Sequence, residues 1–567
     1  MSAKPQIRSA RRSGYPRAAT APAPVWHHLG VSTKKGRSPR PGGVVGALRA
    51  TGRSAAGLLL ITAGLITATA SVLVAQVPSH RPSLLARRVA GSVTGEDIVP
   101  LLRWSAPEAA APYTPAQVTD AYDLAPLYRA GLTGKGATIG IVDVYGVPTI
   151  RAELARFDAN YKIPAPPAFR IVEPAGRVPA FSSRNPAMAS WAAETTLDVE
   201  WAHAMAPGAA IDLALTGVDE VEGTSGFAQI VRAERYLIED EHVSVISQSF
   251  AATEETFPTL RSLTALRGAF VLAKLRDVTV LGAAGDWGAS SPTSTSGDFY
   301  DRRVVNWPAS DPLVTAVGGS QVFLGSSGRQ LGAPRVWNDH GTATSVPSAS
   351  GGGVSADFAR PSWQNSVASV VGNHRGIPDI SMDASCRPGV AVYLALPGEV
   401  PASVRACGTS LAAPLFAGIV AIADELAGHS LGLLNPALYR LGAEHAPGLV
   451  DVTTGKNSVR VPTKTGSAVV TGYSAAKGYD LASGWGTVNA ADLVPELAGK
   501  ALPRRQWPAA ERRGTLSARS RSRRRGHVVD RGSGSRASSR RFSFATAAAA
   551  EPTPRGRRGA QEIGRRR

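Results

Sequence analysis

Residues 137–146 read ATIGIVDVYG, a short β-branched run that closes on Asp143, Tyr145 and Gly146. A run this short and this apolar reads as a strand buried on both faces, as in a parallel sheet. Similar runs recur at 210–216 (AIDLALT), 243–249 (VSVISQS) and 278–285 (VTVLGAAG). Helix-like segments stand between and after them, among them TIRAELARFDANY at 149–161 and AAPLFAGIVAIADELA at 412–427. Such alternation predicts an α/β fold, a mainly parallel sheet flanked by helices. The pattern holds from Tyr113 to about Leu497, which predicts a single large domain over 113–499 with no internal repeat.

Outward from this region the composition changes. The chain has 567 residues, 43% hydrophobic and 19% charged, so most of it can bury a core. The formal charge of +19 belongs to the ends: residues 1–53 carry +11 and 501–567 carry +15, which leaves −7 for 54–500. A nucleic-acid partner is therefore not expected of the folded part. Residues 54–76 (SAAGLLLITAGLITATASVLVAQ) are uncharged, mostly apolar and preceded by Arg53, which reads as a signal peptide or a membrane anchor. Ala68-Thr69-Ala70 fits a cleavage site, while the whole run is long enough to span a bilayer. Both readings export the C-terminal remainder of the chain, to the extracellular space or the cell surface. The basic arm 1–53 is long for a signal's leading region, which points to a true start further in. Residues 77–112 read as a linker, and 500–567 as an Arg-rich disordered tail, a solvated appendage or an electrostatic anchor to anionic envelope polymers. Two cysteines, Cys386 and Cys407, cannot make a disulfide-stapled scaffold or a four-cysteine zinc site.

The chemistry concentrates in a few places. In ACGTSLAAPLFAGIVA (406–421), Ser410 follows Gly408-Thr409 and opens a small-residue helix, where its hydroxyl lies beside helix-end N–H groups that stabilise a developing oxyanion. Taken alone, Gly-Thr-Ser reads first as a plain helix N-cap serine. In WAAETTLDVEWAHAMA (191–206), Glu194 and Asp198 are four residues apart and share one helix face with the apolar stripe Leu197, Trp201 and Met205. Glu200 and His203 are expected on the other, less buried side. Acids in a stripe that faces the protein suit general-base chemistry. Asp286 closes the strand-like run VTVLGAAGD, and Asp143 closes TIGIVD, both where functional groups collect at strand carboxyl ends.

Together these segments resemble the sedolisins, serine-carboxyl peptidases on a subtilisin-like fold. The resemblance rests on ETTLDVEWAHAMAPGA, GAAGDWG, NWPASDPLVTAVGGS, WND followed by SGGGVS and ARPSWQ, IPDISMDA, GTSLAAP, LLNPALY and GYDLASGWGTVN, in that order. It implies that Ser410 is the nucleophile, Glu194 the general base, Asp198 its orienting partner and Asp286 the oxyanion stabiliser. Asp143 then matches a supporting acid behind the Glu/Asp pair, and Ser249, Phe250 and Ala251 match the substrate-binding strand. A subtilisin-type triad is disfavoured because its histidine motif, His-Gly-Thr followed by a small-residue helix, is absent, although Asp143 could pass for its aspartate; His203 reads as structural. The chain departs from the family at Cys407, where Ser or Gly is common, and in the short linker, which has no room for the separately folded pro-domain many members carry.

The resemblance implies cleavage of protein or peptide substrates by a monomer, as an endopeptidase or as a tripeptidyl aminopeptidase. A noncatalytic surface-binding protein on the same fold is the competing class. A carboxylate base with a reference pKa of ~4.3 works in acid where an imidazole at ~6.5 is already protonated. Asp286 must instead hold a proton to donate to the oxyanion, so crowded carboxyls that share protons suit an acid enzyme. The resemblance also implies one structural Ca2+ held by the carboxylates of Asp451 and Asp480 and the carbonyls of Val452, Ala476 and Gly478. Ala476 stands where a glycine is often found. GVAVYL after Cys386 and the strand before Cys407 can form a hairpin whose open end joins the two sulfurs, with two separate thiols as the alternative.

Overall fold

The strands expected from the short apolar runs lie side by side in one sheet. The computed structural model describes residues 99–100, 103–104, 111–218, 224–293, 298–339 and 347–503. The basic arm, the apolar run 54–76, most of the linker and nearly all of the Arg-rich tail lie outside the described residues. Every described residue belongs to the second of the chain's two units, Ser79–Arg567.

The sheet has eight strands: β1 (Thr138–Val144), β2 (Phe169–Val172), β3 (Ala210–Thr216), β4 (Val245–Gln248), β5 (Thr279–Ala283), β6 (Thr315–Gln321), β7 (Arg335–Val336) and β8 (Ile380–Asp383). Their order is β2-β3-β1-β4-β5-β6, with β8 parallel to β6 and the short β7 antiparallel to its end. All the other neighbours are parallel. The chain builds outward from β1 in one direction through β2 and β3 and in the other from β4 onward. The order therefore reverses between β1 and β4, and in open α/β sheets functional groups collect beyond the carboxyl ends of the strands at such a point.

Successive side chains of β1 go to opposite faces. Ile139 and Ile141 join the core formed with α1 (Ile150–Tyr161), α2 (Pro186–Met205) and α5 (Thr409–Ala427). Val142 and Val144 join the core under α3 (Thr224–Glu239) and α4 (Gly268–Leu275). The same parity puts Asp143 on the face that carries α2 and α5. Gly140 lies under α3, where an added Cβ would stand 3.1 Å from Leu237. Among the described residues α5 is the one helix long and apolar enough to cross a membrane, yet it is a core helix, buried over almost its whole length.

The sequence reading of α2 needs correction. Glu200 and His203 are not on a less buried side, because every residue from Trp191 to Met205 is buried. The helix is enclosed by the sheet, α1, α5 and the hairpin strand Val390–Leu394, and its alanines let these neighbours approach together. Its start is set by Asn185, whose side chain accepts from the Ala187 and Met188 N–H groups at 3.0 and 3.4 Å, with Pro186 opening the first turn. Against it, Gly418 of α5 lies so close that a Cβ would stand 2.4 Å from the Met205 Cβ. A glycine here brings the helix of Ser410 onto the helix of Glu194 and Asp198.

Candidate active site

Ser410 is the second residue of α5, after a break that only glycine makes easily: Gly408 has φ +106°. The serine is fully buried. Its hydroxyl donates to the Ser249 carbonyl at 3.3 Å, and the Ser249 hydroxyl lies 3.3 Å from the Ser410 carbonyl. Ser249 stands directly after β4, beside the point where the strand order reverses. Its hydroxyl also donates to Asp198 Oδ1 at 2.9 Å. One short polar chain thus joins Ser410 to α2.

Glu194, Asp198 and Asp143 are fully buried together. Burial, followed by the charges of Asp143 and Glu194, holds Asp198 well above the usual carboxylate range, against the pull of the Ser249 hydrogen bond. Burial alone pushes Asp143 up to about 7, with Thr195 opposing. Like charges this close cannot all ionise, so the cluster shares protons. Asp286 reaches the other flank of Ser410. Its Oδ1 accepts from both the backbone N–H and the hydroxyl of Thr409, each at 2.8 Å, so it caps the N-terminus of α5. Before it, Gly285 has φ +111°, and any Cβ there would meet the Asn306 side-chain nitrogen at 2.2 Å.

The structure therefore gathers Ser410, Asp198, Ser249 and Asp286 around the head of α5, with Asp143 and Glu194 close enough to act on Asp198 through their charges. Phe250 and Ala251 follow Ser249 in the strand Phe250–Thr253, at the same edge. His203 belongs elsewhere: its Nε2 lies 3.0 Å from the Pro164 carbonyl and 3.3 Å from Asp158. Thr409 is the contact that sequence reasoning left out, although it stands inside the quoted Gly-Thr-Ser. Its side chain receives the Gly285 N–H at 3.1 Å while it donates to Asp286, which ties the acid to the serine's helix.

The expected bridge is present between Cys386 and Cys407, with Cα atoms 5.0 Å apart. It holds the end of the strand Ala402–Cys407, directly before Gly408. The residues proposed for calcium also meet. Gly478 N–H donates to Asp451 at 2.9 Å, and Ala476 N–H donates to Asp480 at 2.9 Å. Asp480 further accepts from the Ala482 and Ser483 N–H groups and from the Ser483 hydroxyl. Among the described residues no three His, Cys, Asp or Glu side chains gather into a metal-binding group, so an ion here would depend on backbone carbonyls. Two carboxylates beside a loop whose Gly478 has φ +78° and open space around it form a donor set of the hard oxygen type that calcium takes.

A parallel α/β sheet with a helix-opening serine and a group of buried carboxyls at its switch point defines a serine-carboxyl type of site on a subtilisin-like fold. No family model matches the chain. Kumamolisin from Bacillus sp. (strain MN-32) is 32% identical over 390 residues, 67% of this chain and 63% of that protein. Sedolisin from Pseudomonas sp. (strain 101) is 28% identical over 362 residues, 64% of this chain and 58% of that protein. Human tripeptidyl-peptidase 1 is 34% identical over 240 residues, 40% of this chain and 38% of that protein. The match thus spans about three-fifths of the first two relatives. Among solved structures, Pseudomonas sedolisin in complex with pseudo-iodotyrostatin aligns with a TM-score of 0.56 and 25% identity, over 69% of this chain and 99% of that one. The chain belongs to the sedolisin family.

Proposed function

We propose that the chain is a serine-carboxyl endopeptidase that cleaves protein or peptide substrates in acid. The observation that carries this reading is the buried chain Asp198–Ser249–Ser410 at the head of α5, with Asp286 capping the same helix end. In the proposed reaction Glu194 takes the Ser410 proton as the hydroxyl oxygen attacks the scissile carbonyl. Asp198 steadies the carboxyl pair through the shared proton. With Asp286 Oδ1 accepting from Thr409, the proton that Asp286 donates to the oxyanion is carried on Oδ2. The amine departs with the proton held by Glu194, and water hydrolyses the Ser410 ester.

Two further elements complete the proposal. A calcium ion held by Asp451, Val452, Ala476, Gly478 and Asp480 would staple the loops of the C-terminal part and take no part in the chemistry. The catalytic part works outside the cytoplasm, a reading supported by the apolar run 54–76 and by the Cys386–Cys407 bridge, since disulfides persist in oxidising compartments. The test is digestion of acid-denatured casein at about pH 4 by the wild type and by Ser410→Ala, with the products sequenced. Internal cuts lost in the variant are expected. Release of tripeptides from N-termini alone would replace the endopeptidase reading, and equal digestion by the variant would end the serine mechanism.

A further inference from the structure

Thr409 fixes the carboxyl of Asp286 at the head of α5, but that contact leaves the backbone carrying the acid to be held by something else. The loop 285–289 is held from two sides. On one side the Ala349 N–H donates to the Asp286 carbonyl at 3.0 Å, the Gly351 N–H to the Gly285 carbonyl at 2.6 Å, and the Gly288 N–H to the Ala349 carbonyl at 2.9 Å. On the other side stands a hairpin of two strands, Val459–Thr463 and Gly466–Val470. Trp287, the residue after Asp286, packs in one apolar cluster with Val459, Val461 and Val470 of this hairpin. At the hairpin's root the Ala289 N–H donates to the Asn457 carbonyl at 3.0 Å.

Asn457 joins the two supports. It is fully buried. Its N–H donates to the Tyr473 carbonyl at 3.0 Å and its Oδ1 accepts from the Tyr473 N–H at 2.7 Å, which closes the hairpin. Its Nδ2 donates across to the Gly352 carbonyl at 3.3 Å, on the segment whose Ala349 and Gly351 hold Asp286 and Gly285 from the first side. One residue thus closes the hairpin, reaches the opposite support and receives the loop of Asp286. Closing the hairpin alone would not need an amide donor aimed at a second segment. A buried amide with both its ends on backbone sets those backbones in direction as well as in distance.

We propose that Asn457 is a positioning residue for the oxyanion acid. The inference rests on the peptidase reading above and adds a residue to it. Asn457 touches no substrate and moves no proton; it fixes where the loop 285–289 stands, and through the loop where Asp286 Oδ2 stands relative to the oxygen that becomes charged when Ser410 attacks. The substrate carbonyl gains that charge only on attack, so a displaced Asp286 weakens the transition state and leaves ground-state binding as it was. The effect of losing Asn457 therefore falls on kcat, and it requires Asp286 to be present.

The test uses the full chain and a peptide that the wild type cuts in acid-denatured casein. At pH 4, Asn457→Ala should lower kcat roughly 10- to 100-fold and leave KM within about twofold. Two probes built on the acyl side of that peptide separate the states. In the peptide aldehyde the Ser410 oxygen bonds to the carbonyl carbon, the C=O opens to C–O and the serine proton passes to Glu194, so the probe's oxygen takes the oxyanion's place. The matching peptide alcohol cannot react and reports ground-state binding. The aldehyde's Kd should rise about as far as kcat falls while the alcohol's is unchanged, and in an Asp286→Ala background Asn457→Ala should shift the aldehyde's Kd by less than about twofold. Equal weakening of both probes, or the full loss repeated in the Asp286→Ala background, would overturn the proposal. If urea unfolding shows that Asn457→Ala does not fold, Gly288→Ala carries the same test, because its Cβ would stand 2.4 Å from the Asn457 carbonyl oxygen and press the loop off the hairpin; no split between the probes there would overturn the proposal too. A wild type that leaves the peptide uncut and binds the aldehyde no better than the alcohol would overturn the peptidase reading and this proposal with it.

Discussion

Asp143 gives the sharpest test of the carboxyl cluster, because its environment sets both the sign and the size of an effect on stability. Burial raises its carboxyl from an ordinary 3.8 up to about 7. Between those two values the folded state holds a proton that the unfolded state has released, so stability falls as pH rises through the window. It is undiminished below pH ~4 and fully lost above pH ~7. At about 1.36 kcal/mol for each pH unit of difference, the loss is about 4 kcal/mol. Asp143→Asn keeps the shape and cannot ionise. It also removes a charge that raises Asp198. In a Ser410→Ala background, which prevents self-digestion, urea unfolding followed by tryptophan fluorescence at pH 4 and pH 8 is the assay. Relative to its parent, the Asn variant should gain about 4 kcal/mol on going from pH 4 to pH 8. Parallel stability curves for the two proteins over that range would refute the burial argument for this acid.

The remaining predictions rest on single contacts. Ser410→Ala and Glu194→Gln should each lower kcat on a peptide at pH 4 by roughly 10^4-fold or more, whereas Asp286→Asn should keep a measurable trace because an amide still donates to the oxyanion; steady-state kinetics and an unfolding curve for each variant separate chemistry from folding. A chelator should lower the melting temperature at neutral pH, since an ion bound only by the folded state stabilises it by mass action. Asp480→Ala should abolish that sensitivity, and an indifferent wild type would remove the calcium site. Gly418→Ala drives a Cβ to within 2.4 Å of the Met205 Cβ, so it should cost about 1–3 kcal/mol by overpacking, read as a lower urea midpoint.

The fold was legible because β1 and its neighbours are buried on both faces, and double burial writes itself as a short β-branched run. Glu194 and Asp198 were legible for a related reason: two acids four residues apart in an apolar stripe have no solvent to explain them. Glu200 and His203 were misjudged by the same logic. Periodicity assumes that a helix has a wet side, and α2 has none, enclosed as it is by the sheet, two helices and a hairpin. The Cys386–Cys407 bridge could be anticipated as one of two outcomes because the hairpin between the cysteines is local. What no local pattern carried was the pairing of Val99–Pro100 and of Arg103–Trp104 with strands ~150 and ~300 residues away. Proline- and serine-rich composition describes a stretch that lacks a core of its own, and such a stretch still forms a strand where a ready edge is supplied.

The same physics connects the site to the rest of the domain. Glu254 and Asp424 are raised to about 7 and Asp383 to about 8, each first of all by burial, although none of them belongs to the group around Ser410. Glu254 spends its oxygens on Ser355 and the Ala356 N–H, Asp424 on the Leu431 N–H, and Asp383 on the Val322 N–H. In a protein working at pH 7 Glu254 and Asp424 would be half-ionised in the core, a standing cost, with Asp383 following at higher pH. In acid they are neutral, and their hydrogen bonds come without the burial of charge. The carboxylate base proposed for the site works in the same acid range, because the oxyanion donor proposed beside it must keep its proton. The acid range proposed for a Glu-based serine site is thus also the range in which this core holds its carboxyls without penalty, and stability should fall as pH rises from about 4 toward 7 and 8.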